Sequence, residues 1–331
     1  MDLTPNDEQT VFQTATADWC RDNMPLEAAR ARPAGLWQQL EAMGWTGMTA
    51  PGMDLDHATE ALVFAELGRF LAPVALLSSA VAARWTGATG KVALALPADG
   101  GARLFDGEGA THALGLFGGA LGHFEIGEAP PSAPSLDQSA TLTRIAGPLA
   151  IAAIDHPHAA LHLQILAAAY AIGAADAARD MAAAYAQVRE QFERPIGWFQ
   201  AIKHLCADMA VRCAVARSQL YYAACALDAG DAGAAFHVAA AKRLADQAAL
   251  DNGRANIQIH GGIGMTDEAY PHFCLKRAHL LQHVAPAERT ALLARPESCQ
   301  SSTMAWNSSS SHRRRRGSTA PANSASGSWS R

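Results

Sequence analysis

"REQFERPIGWFQAIKHLCADM", residues 189–209, separates two long Ala-rich stretches that otherwise read as unbroken helix. Arg189 closes the first stretch, a Pro195-Ile196-Gly197 break follows, and Gln200 opens the second, which runs through His204 to Met209. A chain that needed only a helical core would not place an Arg, two Phe and a Gln in one such break. An Arg offers a planar fork of donors suited to phosphate, and a Gln can bond a diphosphate or a carbonyl. Alone, each is also an ordinary surface residue of a helix end, and "RPIG" is an ordinary helix–helix turn.

Working outward, residues 151–295 are expected to form an antiparallel four-helix bundle. "ALHLQILAAAYAIGAADAARDMAAAYAQVRE" is one long helix dense in Ala, the best helix former. "FQAIKHLCADMAVRCAVARSQLYYAACALDAG" is a second, "AAFHVAAAKRLADQAALDNGRANIQIHGG" a third, and "DEAYPHFCLKRAHLLQHV" opens a fourth. Small residues and short connections favour close packing of helix axes. Residues 91–150 change texture: "KVALALPA", "ARLFDG" and "HALGLFGGALGHFEIG" are short apolar runs divided by Gly, Pro and Asp, the pattern of strands and turns. Residues 1–90 return to helix, with Thr4 or Asn6 as the first cap and Val11, Phe12, Ala15 and Trp19 on one face. Pro73 divides the last two helices of that segment. The fold class expected is therefore mostly α: a helical N-terminal domain, a small β middle domain and a C-terminal bundle. Residues 296–331, Ser-rich with an Arg313–Arg316 run, are expected to form a disordered tail.

With 331 residues, half of them hydrophobic, the chain can bury a substantial core. A formal charge of −5 argues against nucleic acid as a partner. Six scattered cysteines, with no CxxC, suit free thiols in a reducing compartment better than a disulfide framework or a zinc site. The N-terminus has no basic n-region followed by an apolar h-region, and charges break the apolar runs, so a soluble, cytoplasmic protein without membrane association is expected.

A second constellation lies at "IQIHGGIGMTDEAYPHF", residues 257–273. Gly261, Gly262 and Gly264 allow close backbone approach and expose amide donors. Thr266 reads as the cap of the following helix, with Asp267 and Glu268 in its first turn. The glycine spacing and the absence of a preceding strand exclude a Rossmann fingerprint.

Together the two stretches resemble the acyl-CoA dehydrogenase family. Its first motif runs R-x-x-F-G-x-x-I-x-x-F-Q, and Arg189, Phe192, Ile196, Phe199 and Gln200 match it, with Ala207 and Met209 beyond. Its second, Q-x-x-G-G-x-G-(aromatic)-x-x-E, is matched by Gln258, Gly261, Gly262, Gly264 and Glu268, with Met265 at the aromatic position. "CLKRA", Cys274 to Ala278, and the α–β–α order extend the similarity over roughly residues 1–295. The resemblance implies FAD as cofactor, held across a subunit interface by Arg189, Phe192, Phe199, Gln200, Gln258, Gly261 and Gly262. It further implies an acyl-CoA substrate, a homo- or hetero-oligomer with another subunit of the family, and an electron-transferring flavoprotein as acceptor.

The same resemblance implies α,β-dehydrogenation of an acyl-CoA thioester, fatty or steroid, by a carboxylate base that removes the α-proton. The family's spacing puts that base at Ala285, which has no carboxylate. Glu288, three residues on, and Glu268, in the glycine loop, are the candidate bases. The first bundle helix, where some members carry the base, offers His158 and His162 but no acid. "ALPADGGA", Ala95 to Ala102, also lacks the hydroxyls that the family sets against the flavin ring. Two functions follow: a dehydrogenase with its base in an unusual place, or a non-catalytic subunit that completes the FAD site of a sister chain. A helical scaffold without cofactor is the third, and the motif pair speaks against it.

Overall fold

The computed structural model describes residues 4–53, 55–127 and 131–294. The expected tail at 296–331 and Cys299 lie outside the described residues. The N-terminal domain consists of α1 (Asp7–Asn23), α2 (Leu36–Ala42), α3 (His57–Arg69) and α4 (Ala75–Thr86). Asn6 caps α1 through a reciprocal box: its side chain accepts from the Gln9 amide at 2.8 Å, and Gln9 Oε1 accepts from the Asn6 amide at 3.0 Å. Pro73 does separate α3 from α4.

The buried face of α1 matches the expected one only in part: Phe12 and Trp19 pack against the core, whereas Val11 and Ala15 are exposed. Gln9, Thr16 and Cys20 point inward, and Val11 is 66% exposed. The polar Gln9 is drawn in because its amide donates to Thr59 Oγ1 at 3.2 Å and its oxygen accepts from the Tyr221 hydroxyl at 2.9 Å. Satisfied buried hydrogen bonds, rather than apolar periodicity, set the helix rotation.

The middle domain is a seven-stranded mixed sheet in the order β5-β6-β2-β1-β3-β4-β7. Its strands are β1 (Val92–Ala98), β2 (Gly101–Phe105), β3 (His112–Phe117), β4 (Ala120–Glu125), β5 (Ala133–Pro134), β6 (Thr141–Ala146) and β7 (Ala152–Ala153). β1 pairs parallel with β3, and its other neighbour β2 is joined by a tight turn through "ADG". "ALPADGGA" is therefore the tip of a hairpin, with Pro97 opposite Ala102.

The bundle comprises α5 (Ala159–Val188), α6 (Gln200–Asp228), α7 (Ala234–His260) and α8 (Pro271–Leu281), followed by a short α9 (Arg289–Leu293). α5 is its axis. It is long and apolar enough to cross a membrane by length and composition, but 89% of its most apolar window is buried inside the fold. Where α3 crosses α5 the backbones touch. A Cβ on Gly173 would lie 2.1 Å from the Ala65 carbonyl oxygen, and one on Gly68 would lie 2.5 Å from Tyr170 Cα. The five cysteines among the described residues are free.

The fourth bundle helix begins later than expected. Thr266 is not its cap; its hydroxyl donates to the Ile263 carbonyl at 2.9 Å, and Gly261–Met265 form a 3-10 turn. Pro271 occupies the first turn of α8, where a fixed φ and a missing N–H carry no penalty. Asp267 instead pairs with Arg30 at 2.6 Å, linking this loop to the N-terminal domain.

Candidate functional site

The two sequence motifs occupy one end of the bundle. Arg189 is the C-cap of α5, its amide bonded to the Tyr185 carbonyl at 2.9 Å, and Gln200 is the first residue of α6. The connection between them is more than a helix–helix turn. β8 (Glu190–Gln191) and β9 (Arg194–Pro195) pair as a two-residue hairpin, and a 3-10 turn over Ile196–Trp198 leads into α6. Phe192 and Glu193 at the hairpin tip have φ of 54° and 61°. Both are in the left-handed region normally filled by Asn or Gly, at a cost of order 1–3 kcal/mol each. The Phe192 ring is 83% exposed and meets Phe199 edge to face at 6.0 Å.

The glycine loop is held beside this hairpin. His260, the last residue of α7, stacks on Tyr185 of α5 at 4.0 Å, one turn before Arg189. Beneath them Ala182, Ala186, Ile196, Met209 and Ile259 share a small apolar cluster of their own. Gly261 then adopts φ 67° and ψ −146°, a conformation open essentially to glycine alone. Gly261, Gly262, Gln258, Gln200 and Arg189 are all exposed, and the Arg189 guanidinium makes no ion pair or hydrogen bond among the described residues. The donor set, a free guanidinium, side-chain amides and a glycine loop, fits the diphosphate of a dinucleotide. Its exposure fits a ligand that is covered from outside this chain.

The position where the family's spacing calls for a base is also well defined. Ala285 is buried, has φ 43°, and lies in the turn that follows α8, after Gln282, His283 and Val284. Gln164 of α5 clamps the turn by donating to the carbonyls of Ala285 and Pro286, both at 3.0 Å. Ala285 and Glu288 line a small cavity of 160 Å³ with Leu161, Gln164 and Gly119. Glu268 stands exposed in the turn before α8 and does not line this cavity.

The segment around His162 brings no acid of its own, but His162 meets one from another domain. Its Nε2 lies 2.7 Å from Glu60 of α3, and neither side chain is accessible to solvent. Trp85 donates to His162 Nδ1 at 3.1 Å. Indole N–H is a donor only, so Nδ1 accepts and the ring is neutral, with its proton on Nε2 toward Glu60. Burial lowers the His162 pKa, against the opposing pull of Glu60. Glu60 lies 102 residues away in sequence, and nothing in the local pattern at His162 announces it. His57 adds a parallel pair with Asp228 at 2.6 Å, and its ring meets His162 edge to face at 4.8 Å. This network ties α3 to α5 and α6.

The acyl-CoA dehydrogenase N-terminal domain model matches residues 6–89, and the acyl-CoA dehydrogenase C-terminal domain model matches residues 159–284. The chain is 32% identical to acyl-CoA dehydrogenase IpdE2 of Mycobacterium tuberculosis over 301 residues, 84% of this chain and 92% of that protein. Among solved structures it is similar to a variant of the Tcur3481–Tcur3483 steroid ACAD, with a TM-score of 0.68 and 21% identity over 92% of this chain and 99% of that one. It is also similar to PigA with FAD and proline, with a TM-score of 0.70 and 18% identity over 88% of this chain and 97% of that one. Matched in both terminal helical domains and across nearly the whole of a curated relative, the chain belongs to the acyl-CoA dehydrogenase family.

Proposed function

We propose that this chain is the non-catalytic subunit of a flavin-dependent acyl-CoA dehydrogenase, acting on a steroid or fatty acyl-CoA thioester. In this role it lends the motif-bearing end of its bundle to an FAD whose remaining contacts come from a catalytically complete sister chain. The observation that carries the proposal is the exposed set at Arg189, Gln200, Gln258, Gly261 and Gly262, gathered by the Tyr185–His260 stack, in which the Arg189 guanidinium has no partner among the described residues. Arg189 and the loop amides hold the diphosphate, while Phe192 and Phe199 offer an aromatic surface beside it. FAD, when bound, supplies the hydride acceptor for the β-hydrogen. An electron-transferring flavoprotein is the acceptor this assignment calls for.

Two features support assigning the base to the sister chain. The family's base position is Ala285, and the cavity behind it holds 160 Å³, below the roughly 300–1,000 Å³ of ordinary ligand sites. A steroid nucleus does not fit there. The name of the Tcur3481–Tcur3483 steroid ACAD pairs two proteins, in keeping with a two-chain assembly.

A second reading, in which this chain carries out its own dehydrogenation, is favoured by Glu288 alone, which lines the same cavity. The co-expressed assembly carrying Glu288→Gln separates the two. Thioester-dependent bleaching of the flavin is expected to proceed at the wild-type rate, because the base is elsewhere. A loss of about 10²–10⁴-fold, the usual weight of a general base, would assign that role to Glu288.

A further inference from the structure

The third glycine of the loop, Gly264, has no part in the exposed donor set. It is buried, whereas Gly261 and Gly262 are exposed. A Cβ on Gly261 or Gly262 would meet nothing within 4 Å. One on Gly264 would lie 3.0 Å from His260 Cβ and 3.0 Å from the Ile257 carbonyl oxygen, so the 3-10 turn folds back onto the end of α7. Gly264 is absent from the left-handed region, so glycine is needed there for space rather than for conformation.

His260 is held from three sides. Its Nδ1 donates to the Asn256 carbonyl at 2.9 Å, and Gly264 closes on its Cβ. Tyr185 covers its ring at 4.0 Å, with 22° between the planes. Tyr185 stands in the last turn of α5, where its carbonyl accepts the Arg189 amide at 2.9 Å. The Arg189 carbonyl in turn accepts from the Ile196 amide at 2.8 Å, which closes the hairpin onto it. The Tyr185 hydroxyl makes no hydrogen bond among the described residues, so Tyr185 contributes its ring face. One run of contacts thus leads from Gly264 through His260 and Tyr185 to Arg189, joining stretches that are distant in the sequence.

We infer that Tyr185, His260 and Gly264 are positioning residues, which set the spacing between the Arg189 guanidinium and the Gly261–Gly262 amides. They act through those donors rather than through bonds of their own to the cofactor. Donors aligned before the ligand arrives bind it without the cost of ordering them. The inference rests on the shared-flavin proposal and names the residues that give its donor set one geometry.

Flavin fluorescence titration of the assembly tests it, with the sister subunit wild type throughout. Tyr185→Ala and His260→Ala are each expected to weaken FAD binding about two- to tenfold, the contribution of one aromatic pair. Tyr185→Phe and His260→Phe keep the stack and should bind as wild type, which a direct role for the hydroxyl or the imidazole nitrogens would not allow. Gly264→Ala should weaken binding by a similar factor, because its Cβ displaces His260. In an Arg189→Ala background His260→Ala should cost less than it does alone, since part of what it positions is gone; unrelated damage would add in full. Melting of the lone chain identifies a variant that fails to fold, and Gly264→Ala, which removes no contact, then carries the comparison. Full additivity with Arg189→Ala overturns the inference, as does His260→Phe binding no better than His260→Ala. If Arg189→Ala weakens binding while the Tyr185, His260 and Gly264 variants match wild type, this inference fails alone. If Arg189→Ala itself binds FAD as wild type, the shared-flavin proposal fails and takes this inference with it.

Discussion

Arg189→Ala is expected to release FAD from the assembled dehydrogenase while leaving this chain folded. The guanidinium is exposed and without a partner among the described residues, so its removal costs the fold nothing that the helix end does not retain; the Arg189 amide still bonds the Tyr185 carbonyl. What is lost is a charge-assisted pair of hydrogen bonds to a diphosphate, worth about 1.5–3 kcal/mol, or roughly 10- to 100-fold in the dissociation constant. Arg189→Lys keeps the charge but not the planar fork and should fall between the two. Flavin fluorescence titration of the assembly gives the affinity, and an unchanged melting temperature of the isolated chain shows that the effect is on the cofactor.

Arg277→Met is expected to have the largest effect on stability. The Arg277 side chain is fully buried, and its bonds reach three parts of the fold. Nε donates to Asp137 at 2.5 Å, one terminal nitrogen to the Ala72 carbonyl at 2.7 Å, and the other to the Ser139 hydroxyl at 2.8 Å. The residue thus fastens α8 to the α3–α4 connection and to the approach to β6. Removing it leaves Asp137 as an uncompensated buried charge, for which about 3–5 kcal/mol is the expected loss. Urea denaturation of the two variants checks this: R277M should lower the midpoint sharply, and D137N/R277M should recover a substantial part. A double variant no more stable than R277M would place the loss in the bonds to the Ala72 and Leu71 carbonyls instead.

The sequence made the α–β–α order legible because each domain carries its own periodicity and its own breakers. Pro73 and the "DAG" at 228–230 end helices where expected, and the 200–228 and 234–260 helices follow the Ala-rich pattern closely. What escaped was set by contacts distant in the chain. Gln9 turns α1 so that Val11 faces solvent, because its partners Thr59 and Tyr221 lie on other helices. Glu60 reaches His162 through a buried bond that no spacing encodes. The hairpin at 190–195 was hidden because its tip, Phe192-Glu193, has none of the residues that usually adopt left-handed conformations. A local rule is broken there beside the motif that best identifies the family, as expected where backbone strain accompanies a functional surface. The two motifs that carry the family resemblance were readable because chemistry fixes their residue types.

The most direct test of the shared-flavin account is the flavin content of this chain purified alone and purified with a complete sister dehydrogenase subunit, read by visible absorbance against protein concentration. The account predicts a colourless lone chain and a yellow assembly that bleaches on adding an acyl-CoA thioester. A lone chain that carries stoichiometric FAD and bleaches with thioester by itself would contradict it.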